Sequence, residues 1–155
     1  MRPALRARFA DYVEYHRDPV NVAIHKVAVP AIVFHVVAML DWVQLGDASV
    51  TLGVVVVALA ALWYVWMSPR LAAVVVPFTV LCLWLGRSTP TWAVVAIAAL
   101  AWAAQLVGHA RFERRAPAFK DNIVQLLVGP AFVAALLVGP APNEVSVDAA
   151  DADDG

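Results

Sequence analysis

The chain has 155 residues, of which 63% are hydrophobic and only 15% charged. Ordinary soluble domains carry about 25% charged residues, with which they cover their surface. This composition excludes an ordinary water-soluble monomer. Apolar blocks recur along most of the chain, so we predict one all-α domain over residues 1–142, built as an integral membrane bundle of about five short helices.

The formal net charge of -1 conceals an uneven distribution. Basic residues lie at the start and around position 115, whereas residues 143–155 are acidic and poor in bulky apolar side chains. We expect that tail to be disordered. Cys82 is the single cysteine of the chain and lies in an apolar block, which excludes an intramolecular disulfide and predicts a packing role. Residues 9–18 are too polar for a cleavable signal peptide, so we expect the N-terminus to be retained.

The first segment, residues 2–17, has the pattern of an amphipathic helix that lies in the membrane interface. Its apolar residues stand at helical spacing, at Leu5, Phe9, Tyr12 and Val13. Asp18 and Pro19 then form an N-cap and a proline at the first helical position, which predicts a new helix. His16 and His25 therefore belong to different helices, or lie on either side of a sharp break.

Five apolar segments follow, over residues 21–40, 48–67, 71–86, 89–107 and 122–138. The second has 20 uncharged residues, the length needed to cross about 30 Å of hydrocarbon, and is the clearest span. The first is marginal because it contains several polar residues and Pro30. The third and fourth are predicted to cross with local thinning of the bilayer or help from flanking residues. The fifth is kinked at Gly129-Pro130.

Lysines and arginines indicate how these segments are oriented. If all five cross, ten basic residues lie at one face and only Arg87 at the other. We therefore predict a multi-pass protein with a cytoplasmic N-terminus and a tail on the opposite side. The same topology brings His16, His25 and His109 to the cytoplasmic face, although they are far apart in sequence.

In each of two pairs of polar residues, the spacing places both members on the same face of a helix. Asn21 lies four residues before His25, and His109 lies four residues before Glu113. Imidazole and carboxylate groups suit a first-row metal such as iron, and polar groups near a bilayer are costly unless paired or functional. The spacing leaves a second interpretation open, in which these histidines bind lipid phosphates or cap helix carbonyls.

Other polar residues have simpler interpretations. His35 lies about 15 Å along a helix from His25 and on another face, so we predict a packing or hydrogen-bonding role rather than a fourth ligand. We expect a basic cluster to orient the chain and to contact anionic lipids, and the alternative role for one member is to hold a substrate carboxylate. The cluster consists of Arg111, Arg114, Arg115 and Lys120.

Two sequence blocks carry a family resemblance. They read Tyr12-x3-His16-x4-Asn21-x3-His25-x4-Pro30 and Trp102-x2-Gln105-x2-Gly108-His109-x3-Glu113-x3-Pro117-Ala118. Together they resemble the membrane 2-hydroxy fatty acid dioxygenase family, typified by the fungal enzyme of phytosphingosine breakdown. The blocks cover about a quarter of the chain, and the hydrophobic hairpin between them is similar to the family in position and length.

The resemblance implies an iron(II)-dependent dioxygenase that performs α-oxidation of 2-hydroxy fatty acids to the acid one carbon shorter. It implies His16, His25 and His109 as the ligands of Fe(2+). Glu113 would be a further ligand or a partner of a ligating imidazole, and Asn21 a positioning group. The expected partners are a 2-hydroxy fatty acid, dioxygen and membrane lipid, with no nucleic acid.

Three alternatives compete with this interpretation. The first is a non-enzymatic membrane protein that binds haem or lipid, although haem needs only one or two axial ligands. The second is a di-iron lipid hydroxylase, a class with many more histidines than the four present here. The third is a small transporter, which would carry polar residues near the membrane centre, where residues 48–67 and 71–86 offer almost none.

Overall fold

The computed structural model describes residues 1–46, 50–114 and 124–139. Six α-helices account for most of them, which confirms the all-α prediction. They are α1 (Pro3–Glu14), α2 (Pro19–Asp41), α3 (Leu52–Met67), α4 (Pro69–Ser88), α5 (Thr91–Gly108) and α6 (Gln125–Val138). A π-helical turn, His109–Glu113, continues α5. The disordered tail predicted for residues 143–155 lies outside the described residues.

Three of the helical segments are long and apolar enough to cross a membrane. They are Pro19–Asp41, Pro69–Ser88 and Thr91–Glu113, with 23, 20 and 23 residues. The first predicted span, residues 21–40, was expected to be marginal, but the helix that contains it is one of the two longest of these segments. By contrast, the second predicted span, residues 48–67, contains a helix shorter than predicted. The Thr51 side chain accepts the N–H of Val54, so α3 starts at Leu52.

Apolar side chains cover the outside of the bundle. Val27, Trp92, Leu100 and Leu137 are each more than 70% exposed. In water such a surface would be an aggregation hazard, whereas in a bilayer it is the normal surface of a helical bundle. The inward-facing residues include Cys82, which is buried beside Val37 and Val57. This position confirms the packing role predicted for the cysteine.

The helix α1 packs on the protein with the apolar stripe predicted from its sequence. Leu5 and Tyr12 are buried, Phe9 is half-buried, and only Val13 points outward. The ring of Phe9 meets that of Phe132 in α6 edge to face, with the centroids 5.9 Å apart. The predicted amphipathic stripe therefore faces the bundle, and contact of α1 with the membrane interface remains a prediction.

The two ends of the bundle differ in the groups that close them. At the end where α2 and α4 finish, Arg87 forms two hydrogen bonds with Asp41, of 2.8 and 3.1 Å. At the other end, the N–H of Arg2 donates to the carbonyl of Met67 over 2.9 Å. Since Arg87 lies 17 positions after Arg70 in α4, these ends lie about 25 Å apart.

The end of α6 lies at the same end of the bundle as α1. Nη2 of Arg70, at the start of α4, donates to the carbonyl oxygen of Val138 over 2.9 Å. The five-span prediction places these two residues at opposite membrane faces, so the structure differs from it here. With 14 residues and Pro130 inside it, α6 is about 21 Å long, which is too short to cross the hydrocarbon unaided.

Cysteine labelling distinguishes these topologies. In a Cys82→Ala background, a cysteine at Ala4 and a cysteine at Asp151 are expected to react with a membrane-impermeant maleimide from the same side. The physical reason is that α6 returns to the end where α1 lies, and the acidic tail has no apolar segment with which to cross again. A cysteine at Gln44, beyond the other end of α2, serves as the control and should react from the opposite side. Labelling of positions 4 and 151 from opposite sides would restore the five-span topology.

Candidate metal centre

The site forms at the short non-helical connection between α1 and α2. His16 follows the last turn of α1, and two residues later Asp18 caps α2. The carboxylate of Asp18 accepts the N–H groups of Val20 and Asn21 over 2.8 and 3.3 Å. This cap and Pro19 start α2 in a new direction, as the sequence predicts. His16 is consequently able to face His25, which lies two turns into α2.

The third histidine comes from the other end of the sequence. His109 opens the π-helical turn after α5, and α5 is the helix that packs most extensively on α2. A π-turn shifts the side chains that follow it relative to a regular helix, and such turns are frequent at functional sites. The convergence of His16, His25 and His109 that the sequence predicts is therefore found in the structure.

The three imidazoles are buried and close to one another. His16, His25 and His109 are 5%, 1% and 1% exposed, and one ring nitrogen from each lies within 4.8 Å of the others. Nε2 of His16 lies 2.9 Å from Nε2 of His25. The ring of His109 has its centroid 4.9 Å from each of the other two.

The hydrogen bonds of two of these rings define their tautomers. Nδ1 of His16 lies 2.7 Å from the carbonyl oxygen of Tyr12, and Nδ1 of His25 lies 2.8 Å from that of Asn21. A carbonyl oxygen only accepts, so both Nδ1 atoms carry the hydrogen and both Nε2 atoms of the neutral rings present lone pairs. Because the two Nε2 atoms are only 2.9 Å apart, their lone pairs repel each other unless a proton or a cation lies between them.

The charge state and the unpaired atoms of the cluster both fit a bound metal ion. Burial lowers the pKa of His16 to about 4, although the Tyr12 carbonyl opposes this shift, so the ring is neutral at neutral pH. Neither ring nitrogen of buried His109 has a hydrogen-bond partner among the described residues. Such groups are rare without an unseen ligand. A metal ion would relieve the repulsion and satisfy one nitrogen of His109, with a carbonyl behind two of its ligands.

Glu113 and Asn21 form the layer behind the histidines. Oε1 of Glu113 accepts the Asn21 side-chain amide over 3.0 Å and the N–H of Asp18 over 3.0 Å. The backbone carbonyl oxygen of Asn21 in turn accepts the Nδ1–H of His25. The carboxylate thus connects the π-turn to the start of α2 and reaches His25 through Asn21. The roles that the family resemblance implies, Glu113 as a ligand or a partner of a ligand and Asn21 as a positioning group, remain predictions.

His35 is separate from this cluster. Its Nδ1 lies 3.0 Å from the Ala31 carbonyl oxygen, and its Nε2 accepts the indole N–H of Trp102 over 3.1 Å. Both ring nitrogens of His35 therefore have hydrogen-bond partners when the imidazole is neutral. The hydrogen-bonding role predicted for His35 agrees with this geometry. In the basic cluster, Arg111 and Arg114 are exposed, whereas Arg115 and Lys120 lie outside the described residues.

A cavity of about 50 Å³ adjoins the histidines, and some of its lining was not predicted as functional. Tyr12 stacks on His16 at a centroid distance of 3.9 Å and supplies the carbonyl behind it. Gln105 and Gln125 also line the cavity. Tyr12 and Gln105 belong to the sequence blocks quoted above without a role. Gln125 had only a weak signal, as one of two amides near the start of an apolar segment.

Gly108 allows the close contact between α5 and α2 behind the site. A Cβ atom at this position would overlap with Oδ1 of Asn21, whose amide is held by Glu113. We expect Gly108→Ala to destabilise the protein by about 1–3 kcal/mol through overpacking, despite the better helix propensity of alanine. Thermal unfolding in detergent measures this loss.

Gly129→Ala is the matched control for stability. A Cβ atom there would lie 3.4 Å from the Tyr12 hydroxyl oxygen, an ordinary contact. That variant should unfold at the wild-type temperature or slightly above it. Equal melting temperatures for the two variants would show that the Asn21 side chain yields without cost.

Comparisons with known proteins agree with the blocks in the sequence. The family described as 2-hydroxy-palmitic acid dioxygenase Mpo1-like matches residues 3–141. The chain is also 35% identical over 134 residues to a protein of Saccharomyces cerevisiae named 2-hydroxy-palmitic acid dioxygenase MPO1, an alignment that covers 83% of this chain and 76% of that protein. No solved structure gives a significant match. Because the family match extends over nearly all of the helical part, the chain belongs to the 2-hydroxy-palmitic acid dioxygenase Mpo1-like family.

Proposed function

We propose that this protein is an iron(II)-dependent dioxygenase that performs α-oxidation of 2-hydroxy fatty acids and yields the fatty acid one carbon shorter. The observation that carries the proposal is the cluster of three buried imidazoles, two of whose Nε2 atoms are 2.9 Å apart, beside a cavity in an apolar bundle. The name of the yeast relative supports the substrate class. His16, His25 and His109 would hold the iron.

Three neutral imidazoles suit this chemistry because they leave coordination positions open. A bound iron(II) ion would supply the activation of dioxygen and a site for the hydroxyl and carboxylate oxygens of the substrate. The balanced reaction consumes one 2-hydroxy acid and one dioxygen, and releases the shortened acid, carbon dioxide and water. The carbon–carbon bond beside the carboxyl group breaks, and dioxygen is the oxidant.

The residues of the chain contribute position and environment. The carbonyl oxygens of Tyr12 and Asn21 orient His16 and His25, and Glu113 holds Asn21. The end of the bundle where α1 packs allows an amphiphile to keep its polar head at the membrane interface while its chain lies among apolar side chains. A cavity of about 50 Å³ is too small for a porphyrin, which argues against the haem-binding alternative.

Metal analysis and turnover test the proposal together. Protein purified in detergent under anaerobic conditions with iron(II) should contain about one iron per chain. It should convert 2-hydroxypalmitate into pentadecanoate only when dioxygen is admitted, with the product identified by mass spectrometry. A strong Soret absorption band would point to haem instead. Stoichiometric iron without oxygen-dependent loss of 2-hydroxypalmitate would contradict the proposed activity.

A further inference from the structure

Two buried glutamines of the cavity have no role in holding the histidines. Gln105 lies on α5, one turn before His109, and Gln125 opens α6. Both are 6% exposed, and the side-chain oxygen of each is buried without a hydrogen-bond partner among the described residues. Buried amides of this kind are costly unless a ligand or an ordered water completes them.

The lining of the cavity narrows the chemistry of that ligand. His16 and His109 line it together with both glutamines, so a molecule there lies beside the candidate metal and two amides at once. Its described lining contains no lysine, arginine or carboxylate. An anionic group in this cavity would therefore be bound by amide N–H donors and by the metal, and not by a fixed cationic side chain.

A larger apolar cavity continues from the first one. It has a volume of about 390 Å³ and shares Val33, Trp102 and Pro130 with the cavity beside the histidines. The polar side chains in its wall are satisfied, since the hydroxyl groups of Tyr64 and Thr79 donate to the carbonyls of Leu127 and Val76. The two cavities together match an amphiphile with a small polar head and a long hydrocarbon chain.

We propose that Gln105 and Gln125 bind the polar head of a 2-hydroxy carboxylic acid and select it over the acid that lacks the hydroxyl group. An amide carries an acceptor oxygen and two N–H donors. Its oxygen accepts the α-hydroxyl hydrogen, and its nitrogen donates to the carboxylate. The hydrocarbon chain then extends past Trp102 into the larger cavity. This inference rests on the proposed function, because it takes the substrate class from it.

The selectivity follows from the unpaired amide oxygens. When the ligand has no hydroxyl group, an acceptor in a buried site stays unsatisfied, and sites built for such a hydrogen bond reject the analogue that lacks it. We therefore expect the wild-type protein, both with and without iron, to bind 2-hydroxypalmitate at least about tenfold more tightly than palmitate.

Competition against a fluorescent fatty acid in detergent micelles measures this preference without turnover. Gln105→Met and Gln125→Met keep the volume of the side chain and remove its hydrogen-bonding groups. The α-hydroxyl group has one hydrogen, so the variant that removes its acceptor is expected to reduce the preference for 2-hydroxypalmitate about tenfold. The other variant should weaken the binding of both acids, and iron content and melting temperature should stay near those of the wild type in both. Gln44→Met is the matched control, since Gln44 is exposed and belongs to the other end of the bundle. It should keep the full preference.

A second pair of variants covers the case in which the methionine variants do not fold. Gln105→Glu and Gln125→Glu preserve the shape of the side chain but place a negative charge beside the carboxylate, so binding of 2-hydroxypalmitate should weaken by more than tenfold. An unchanged preference in folded variants at both positions, or a wild-type protein with no preference, would overturn the inference and leave the amides as water-binding groups.

The outcome for the glutamines is separable from the outcome for the enzyme. A preference that depends on Gln105 or Gln125 in a protein without turnover would support the head-binding site and contradict the proposed activity. Oxygen-dependent turnover with a preference unaffected by these substitutions would support the activity and overturn the inference.

Discussion

Replacing His16, His25 or His109 by alanine is expected to empty the metal site in each case. Each substitution removes one of three imidazoles whose ring nitrogens lie within 4.8 Å of one another, and two neutral imidazoles alone bind iron(II) weakly. Iron per chain, measured by mass spectrometry of the purified variants, should fall from near stoichiometric to near zero. Turnover of 2-hydroxypalmitate should be lost with it.

His35→Ala is the matched control for these three variants. It removes a buried histidine of α2 whose nitrogens bind Ala31 and Trp102, outside the cluster. The variant should be less stable by about 1–3 kcal/mol, because Trp102 loses its acceptor, and the folded fraction should retain its iron. Loss of iron from folded His35→Ala protein would show that the ligand set is wrong. Retention of iron in any of the three variants at His16, His25 and His109 would show the same.

Glu113→Gln is expected to keep iron and to lower activity by about 10- to 100-fold, the usual range for a group that orients metal ligands. The glutamine oxygen is able to accept the same two hydrogen bonds, from Asn21 and from the N–H of Asp18. The substitution removes the negative charge that would offset a divalent ion near His16 and His25. Iron content and the initial rate of oxygen-dependent conversion measure the two effects separately.

Glu113→Ala tests the positioning role in the same assay. It leaves the Asn21 amide and the Asp18 N–H without their acceptor, so it should lower both stability and iron content more than Glu113→Gln does. A folded Glu113→Gln protein that purifies without iron would instead make the carboxylate a direct ligand. Full iron and full activity would reduce Glu113 to a structural contact.

Much of the fold follows from local patterns in the sequence. The Asp18-Pro19 pair predicts the break before α2, and a side chain that accepts backbone N–H groups needs no distant contact to start a helix. The differences between the predicted and the observed helices lie mainly at the helix ends. The sequence predicts the start of α3 too early because residues 48–51 carry no charge, whereas the cap at Thr51 defines where the helix begins. Apolarity measures the affinity of a segment for lipid, and it does not determine which residues are helical.

The path of α6 is a tertiary property. Counts of lysine and arginine treat every apolar segment as a crossing, and they are insensitive to one that turns back. The hydrogen bond from Arg70 to Val138 joins residues 68 positions apart, and no periodicity in either segment predicts it. A short, proline-containing helix takes the direction that its neighbours allow, and here those neighbours are α1, α2 and α4.

The sequence by itself determined which histidines are candidates and that they lie at one end of a helical bundle, because helix direction and residue spacing follow from local chemistry. The structure decided that His16 and His25 face each other at 2.9 Å, that Glu113 acts on Asn21, and that Gln125 joins Gln105 beside His109. These contacts depend on the packing of α5 and α6 against α2. Distances of this precision come from side chains that meet across helices, and their positions are set only when the whole bundle is packed.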